Sequence, residues 1–279
     1  MNDIVETPQT PDAPPNGEQP TVTLKPPSPE NLWTELAIAF NYLTRFNMRL
    51  KEEPKPRIIR KAMTWFPLIG AFVGGVGAAV DWVISQLGMP ALITSTFAVI
   101  TMLWITRALH EEEFATLVNQ YGVNLDKEQK IGWLREERSV RYGTLGIILI
   151  IIMKIGAIQS FTDSESETVF CVLVAASAWS RTLMVVAAAW LRPLAGDPVA
   201  DHFQQPPALR VVVALILGAG IVFCCLDSIT AGALGVGALA GLIVALIGAN
   251  HLRGYNGPLL GTLQQIVELA VYGMVLAVQ

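Results

Sequence analysis

The sequence predicts an all-α protein that crosses a membrane several times. Of its 279 residues, 52% are hydrophobic and only 15% are charged, whereas soluble domains carry about 25% charged residues. The apolar residues are collected in long runs, each close to the roughly 20 residues that a helix needs to cross a bilayer. We therefore expect a polytopic helical bundle with about seven spans, preceded by an interfacial or re-entrant helix.

The first 30 residues differ from the rest of the chain. They are rich in proline and poor in apolar side chains, so they cannot bury enough surface to offset the entropy of an ordered chain. We expect residues 1–30 to form a disordered tail and residues 31–279 to form a single membrane-embedded domain. The domain opens at 33–48, where Glu35 and Asn41 interrupt the apolar pattern and favour the interfacial or re-entrant helix.

Seven apolar runs follow, and each is predicted to span the membrane. The first contains Gly70 and Gly74, small residues that let a second helix approach closely. The fourth contains Arg181, whose insertion costs at least about 2.5 kcal/mol, so this side chain should face the bundle interior and meet an acidic partner. The runs cover 63–87, 91–109, 143–161, 168–191, 210–226, 228–249 and 261–278.

Positive charge indicates the orientation of the bundle. The basic stretch 45–61 lies on the same side as three longer polar regions, whereas the short connections on the other side carry neither Lys nor Arg. The positive-inside rule then places the polar regions in the cytoplasm. The net charge of −4 gives no sign of nucleic-acid binding. The three polar regions are 110–142, 192–208 and 250–260.

The densest group of candidate functional side chains lies where the second apolar run ends. His110 is followed directly by Glu111, Glu112 and Glu113. Three carboxylates provide hard oxygen ligands of the kind that Mg²⁺ and Ca²⁺ prefer, and the histidine suits a general base or a ligand. The alternative is a solvated helix end without a bound ion.

Two further segments suggest anion binding. Arg135, Arg138 and Arg141 offer planar guanidinium groups that match phosphate, and the sequence from Gly143 to Gly146 then opens a helix. Asn256 and Gly257 form a second turn of the same kind before the last run. An ordinary cytoplasmic charge cluster and two plain helix starts remain the alternatives.

The order of these features resembles one enzyme family. His110 to Ala115 is followed by Arg138-x-x-Arg141-x-Gly143-Thr144-x-Gly146, then by Ser180-Arg181, and finally by Gly257-x-x-x-Gly261-x-x-Gln-Gln-x-Val-Glu268-Leu. The segments 33–45 and 65–70 match the family's opening signatures. From about Leu32 to its end the chain is similar to the cobalamin synthases, the adenosylcobinamide-GDP ribazoletransferases of the last stage of vitamin B12 biosynthesis.

The resemblance implies a Mg²⁺-dependent transferase. Its substrates are adenosylcobinamide-GDP and α-ribazole or its 5′-phosphate, and a ribazole hydroxyl attacks phosphorus while GMP leaves. The implied partners are the corrinoid, α-ribazole, the lipid bilayer and other membrane-associated cobalamin-assembly proteins, with no nucleic acid. The implied site residues are His110, Glu112, Arg138 and Arg141 for catalysis, Gly143, Thr144, Arg181, Asn256 and Gly257 for substrate phosphate, and Glu111, Glu112, Asn119 and Glu268 for the metal.

The chain departs from the family pattern at the positions where the motifs have aspartate. The family motif reads His-x-Asp-Gly-x-Ala-Asp-x-x-Asp-Gly, and only Glu112 keeps a carboxylate at an aspartate position, while Glu113 stands where the motif has glycine. Neutral residues replace the other aspartates of this motif and of the two later ones. The replacements are Thr116, Asn119, Ser139 and Pro258.

Three functional hypotheses follow. The first is an active ribazoletransferase with a glutamate-based site, and the second is an inactive paralogue that keeps the fold and binds a corrinoid or another membrane protein. The third is a small transporter, for which the charges of Asp81, Lys154 and Arg181 within the spans are the best argument. The chain shows no internal repeat of the kind that many transporters have.

Overall fold

The computed structural model describes residues 32–50, 53–121, 140–164 and 166–278. This part of the chain is helical and contains no β-strand, which confirms the predicted fold class. The predicted tail and its boundary at residue 30 lie outside the described residues. The helices are α1 Leu32–Leu43, α2 Pro56–Ala62, α3 Phe66–Gln86, α4 Ala91–Thr106, α5 Leu109–Tyr121, α6 Val140–Ser164, α7 Ser166–Trp190, α8 Pro198–Phe203, α9 Ala208–Leu226, α10 Thr230–Ile247 and α11 Gly257–Val278.

The long apolar helices indicate a membrane protein, but the predicted count of about seven spans is not confirmed. Five helical stretches of the described chain are long and apolar enough to cross a membrane, or six if α4 and α5 form one broken span. The predicted span 91–109 ends early, because α4 and α5 meet at an angle of 86°. The two spans predicted at 210–249 lie in one helical stretch, Ala208–Leu252, interrupted by a 3-10 turn at Asp227–Ile229.

Helix α7 is the central helix of the bundle, and α3 packs tightly against it. A Cβ atom on Gly70 would collide with the carbonyl oxygen of Ser177, and one on Gly74 would collide with that of Leu173. Only glycine allows the two backbones to come this close, which confirms the close approach predicted from the small residues of the first run.

Helix α1 is shorter than predicted, and the chain then folds back on it. Asn41 causes this reversal because its side chain binds both the N–H and the carbonyl of Met48, at 2.6 and 2.9 Å. Glu35 anchors the same helix to the bundle. Its buried carboxylate accepts a hydrogen bond from Arg210 of α9 at 2.9 Å and one from the Trp65 indole at 3.3 Å.

Buried polar side chains concentrate where α5, α6, α7 and α11 meet. A separate buried acid lies at the far end of α3. Asp81 is 1% exposed, and the Thr162 hydroxyl lies 3.2 Å from its carboxylate. Asp81 is therefore paired within the bundle, and the site must be sought in the larger cluster.

Candidate functional site

A sharp bend carries the start of α5 into the protein interior. Arg107 and Ala108 have φ angles of 58° and 52°, a left-handed conformation that is uncommon for residues other than glycine. The chain turns by 86° between α4 and α5. As a result His110, Glu111 and Glu113 are buried, with exposures of 1%, 6% and 8%.

Lys154 of α6 lies between Glu111 of α5 and Glu268 of α11. Its Nζ donates to Glu111 Oε1 at 3.3 Å and to Glu268 Oε2 at 3.4 Å. All three side chains are buried, and buried charges are tolerated only when they are paired and hydrogen-bonded. This group, the Lys154 network, ties three helices together through one ammonium.

Polar side chains complete the Lys154 network. Gln265 donates its amide N–H to Glu111 Oε1 at 2.8 Å. Besides Lys154, three groups donate to Glu268, so this carboxylate is well satisfied by protein atoms. These donors are the Ser177 hydroxyl at 3.3 Å, the Tyr272 hydroxyl at 2.9 Å and the Gln264 amide.

Arg181 of α7 belongs to the same interior. It is 2% exposed, and its Nη1 donates to the Ser177 carbonyl at 3.1 Å. With Glu111 and Glu268 it lines a small cavity of about 10 Å³, which has room for roughly one water molecule. Arg181 therefore faces the bundle interior as predicted and has acidic neighbours, but its recorded hydrogen bond is to a backbone carbonyl and not to the expected acidic partner. Its role towards a substrate phosphate stays a prediction.

His110 joins the cavity to a second carboxylate. Its Nδ1 lies 3.0 Å from Glu113 Oε2. Its Nε2 is buried without a hydrogen-bond partner among the described residues, and the ring lines the cavity. The Glu113 carboxylate at Nδ1 holds the imidazole in one orientation. Functional histidines are commonly oriented in this way by a hydrogen bond to the ring nitrogen that does not take part in the chemistry.

Glu113 fills the space between α5 and the start of α11. A Cβ atom on Gly261 would collide with the Glu113 side chain, and one on Gly257 would lie 3.0 Å from Glu113 Oε1. The two glycines of the last signature thus admit the carboxylate. We call the motif that begins at His110 the first signature, the one that begins at Arg138 the second and the one that begins at Gly257 the third. The first and third signatures meet at this contact.

Asp197 approaches the same glycine from the loop before α8. Its Oδ1 accepts hydrogen bonds from the N–H groups of Val199, Ala200 and Gly257, at 3.1, 2.9 and 3.2 Å. Asp197 therefore caps α8 and also holds the start of α11. Burial, and then the charge of Asp197, raise the pKa of the neighbouring Tyr255 well above its usual range.

The second signature meets α5 further along. The backbone N–H of Gly143, near the start of α6, donates to Asn119 Oδ1 at 2.6 Å. Gly143 also packs against Ala115, and a side chain there would collide with both. Glu112 and Thr116 lie on the outer face of α5, where Glu112 is exposed.

The predicted phosphate-binding amides already have protein partners. Gly143 N–H is bound by Asn119, and Gly257 N–H by Asp197. Asn256 accepts the N–H of Leu259 at 3.0 Å and so caps α11. Arg138 lies outside the described residues, as does the side chain of Arg141. Thr144 is exposed at the start of α6.

The three signatures therefore converge from distant parts of the chain onto α5. A model of the cobalamin-5-phosphate synthase family matches residues 35–276. The chain belongs to this family. Its members serve cobalamin synthesis, which confirms the resemblance drawn from the motifs.

Individual relatives of the family carry one name, adenosylcobinamide-GDP ribazoletransferase. The relative from Leptothrix cholodnii is 30% identical over 247 residues, covering 84% of this chain and 92% of its own. The relative from Shewanella amazonensis is 26% identical and covers 84% of this chain and 92% of its own. The relative from Polaromonas naphthalenivorans is 27% identical and covers 78% of this chain and 86% of its own. No solved structure matches the chain.

The four residues predicted to bind magnesium are not gathered in one place in the described structure, and their binding of magnesium stays a prediction. Glu111 and Glu268 come together, but around the Lys154 ammonium. Glu112 points outwards and Asn119 is bound to Gly143. Mg²⁺ needs oxygen ligands at about 2.0–2.1 Å, and no group of three or more His, Cys, Asp or Glu side chains in the described ranges is placed to hold a metal.

Some residues of the site were not predicted from the sequence. Asp197 and Tyr42 contact the signature residues although neither belongs to a signature. The position of Asp197 directly before a proline, at the start of a short helix, is a capping signal. That signal predicts a helix start but cannot reveal the contact with Gly257, which lies 60 residues further on.

Proposed function

We propose that this protein is an adenosylcobinamide-GDP ribazoletransferase at the cytoplasmic face of a bacterial inner membrane. It joins adenosylcobinamide-GDP to α-ribazole or its 5′-phosphate and releases GMP. One observation carries the proposal: the three family signatures meet on α5, through Asn119 with Gly143 and Glu113 with Gly261. The similarity to relatives of this name over most of both chains supports it.

The reaction exchanges one phosphorus–oxygen bond for another. A ribazole hydroxyl oxygen attacks the phosphorus attached to cobinamide, the bond to the GMP oxygen breaks, and the hydroxyl proton passes to a base. Glu112 is the exposed carboxylate of the first signature and serves as that base. Arg138 and Arg141 stabilise the charge on the transferred group, since guanidinium groups match phosphate oxygens.

His110 acts differently, because its ring is enclosed. Bound to Glu113 and facing the small cavity, it fixes the start of α5 against α11. We assign it the role of holding Glu112 at the entrance. A base that shifts by about 1 Å loses much of its effect, so this placement matters for catalysis.

The test is GMP release by the purified protein in lipid nanodiscs. We expect turnover with adenosylcobinamide-GDP and α-ribazole, and a fall of about 100-fold or more in kcat for Glu112→Gln, the range of a lost general base. Asp227→Asn is the matched control, because Asp227 is exposed at the junction of α9 and α10 and outside the signatures. Absence of GMP from the wild-type protein contradicts the proposal.

A second candidate function is that of an inactive paralogue that binds a corrinoid. The replacement of the family's aspartates, together with the closure of Glu111 and Glu268 on Lys154, favours it. An inactive paralogue should bind adenosylcobinamide-GDP without releasing GMP. It also expects turnover to appear when aspartate is restored at Thr116, Asn119, Ser139 and Pro258.

A further inference from the structure

We propose that one anionic phospholipid binds on the outside of α3 and α4. Its phosphate lies at Arg45 and Arg107, and one of its acyl chains lies in a groove along α3. The site is at the end of α4, where the chain turns into α5. The lipid is a bound ligand and not a substrate, so this proposal goes beyond the proposed function and does not rest on it.

An apolar groove of about 490 Å³ runs along α3 from Phe72 to Ile84. At 1.5 Å per residue this stretch of helix extends about 18 Å, slightly more than the roughly 15 Å depth of one leaflet, half of the hydrocarbon core. All the lining residues are apolar, and they include Gly75 and Ala79, two small residues one helical turn apart. These dimensions suit a single acyl chain of the leaflet in which the groove begins.

Four aromatic rings connect the groove with the end of α4. Between ring centroids, Phe72 lies 5.4 Å from Phe40, Phe40 stacks on Phe46 at 5.9 Å, and Phe46 meets Trp104 edge-on at 6.1 Å. Phe72, Phe46 and Trp104 are all exposed on the outside of the bundle. Exposed tryptophan is enriched at the level of the lipid headgroups, so this end of the groove lies at the membrane surface.

Two arginines lie at the same end of the groove. The Arg45 guanidinium lies 4.0 Å from the centre of the Trp104 ring, and the backbone N–H of Arg45 donates to the Ile105 carbonyl at 2.7 Å. The Arg107 side chain reaches back in the other direction, with Nη2 lying 3.4 Å from the Asn41 carbonyl oxygen. These reciprocal contacts hold the segment after α1 against the end of α4, and they bring both guanidinium groups to one edge of the bundle.

The charge at this edge favours an anionic headgroup. Arg45 and Arg107 are exposed, and among the described side chains neither forms an ion pair with a carboxylate. Guanidinium groups match phosphate oxygens, and basic side chains at the cytoplasmic surface attract anionic lipids.

A phospholipid matches both parts of the site, because it joins a phosphate to an acyl chain. A free phosphate or the nucleotide-linked substrate would use the two arginines and leave the groove unused. The positive-inside rule puts the end of α4 on the cytoplasmic side, so the lipid belongs to the cytoplasmic leaflet.

Lipid binding to the full-length protein tests the site without any turnover. Native mass spectrometry in detergent should detect one retained phosphatidylglycerol per chain, bound more tightly than phosphatidylcholine. Arg45→Gln and Arg107→Gln should each weaken phosphatidylglycerol binding about 5-fold, the usual effect of one basic residue near an anionic surface. Ala79→Trp fills the groove from an exposed position and should weaken binding of both lipids. Arg192→Gln is the matched control, because Arg192 is an exposed arginine just after α7 on the same side.

The variants together identify the ligand. Phosphatidylglycerol binding that falls in both arginine variants and in Ala79→Trp, and is unchanged in Arg192→Gln, supports the site whether or not the protein releases GMP. Equal affinity for the two lipids overturns the proposal, as does wild-type binding in the arginine variants. A loss in the arginine variants with full binding in Ala79→Trp means that an anion binds there without an acyl chain, and it overturns the proposal as well.

Discussion

Lys154 is the residue on which the buried network depends most. Without its ammonium, Glu111 and Glu268 face each other across the interior with no cation between them. Removing one partner of a buried ion pair costs about 3–5 kcal/mol, because a charge is left uncompensated. We expect Lys154→Met to lower the unfolding free energy by about that amount, measured by denaturant unfolding in detergent.

A second substitution identifies the cause. In Lys154→Met with Glu268→Gln, one of the two stranded charges is gone, so the double variant should be more stable than Lys154→Met alone. Additive losses in the double-mutant cycle contradict the network. Tyr272→Phe keeps the charges and removes one hydrogen bond to Glu268, so it should cost only about 1 kcal/mol.

For single residues, the sequence predicts which side chains belong to the site more reliably than it predicts which side chains they contact. His110 and Glu111 stand out as a dense polar stretch, and both are in the buried cluster. Glu111 was expected to bind a metal, yet it binds Lys154, which lies 43 residues away. Pairings of this length depend on how α5 and α6 pack, and no local pattern encodes that packing.

Among the helices, the contact between α3 and α7 is set by glycine. We expect Gly74→Ala to destabilise the protein by about 1–3 kcal/mol, the usual cost of overpacking, because the added methyl meets the Leu173 carbonyl. Thermal unfolding in detergent measures the loss. Gly220→Ala in α9 is the control, since nothing lies within 4 Å of its added methyl, and its better helix propensity should leave stability unchanged or slightly higher.

The helices show where apolar length is a good guide and where it fails. Residues 168–191 were predicted as one span and form α7 almost without change. Residues 91–109 were also predicted as one span, yet Arg107 and Ala108 turn the chain before α5. Neither residue is a glycine or proline, so the bend has no local signal. The bend brings Glu111 and Glu113 to partners inside the bundle, while Glu112 stays exposed.

At the scale of the whole molecule, the fold gathers its acids in two places with different partners. Glu111 and Glu268 lie deep in the bundle on Lys154, while Glu113 and Asp197 lie near the start of α11. The first group shares a buried ammonium, whereas among the described side chains the second has only the His110 imidazole as a basic partner. A membrane interior favours closed ion pairs, so chemistry with polar substrates belongs at the second place, near the loops.

The side of the membrane on which that place opens follows from charge. The basic residues of 45–61 share a side with the loop before α8, so the positive-inside rule predicts that Ala195 is cytoplasmic and Met89 is on the opposite side. Both residues are exposed. In a variant with the three native cysteines replaced, a membrane-impermeant maleimide should label Met89→Cys in intact cells and Ala195→Cys only after permeabilisation. The reverse pattern would turn the proposed site away from the cytoplasm, where the nucleotide-linked substrate is available.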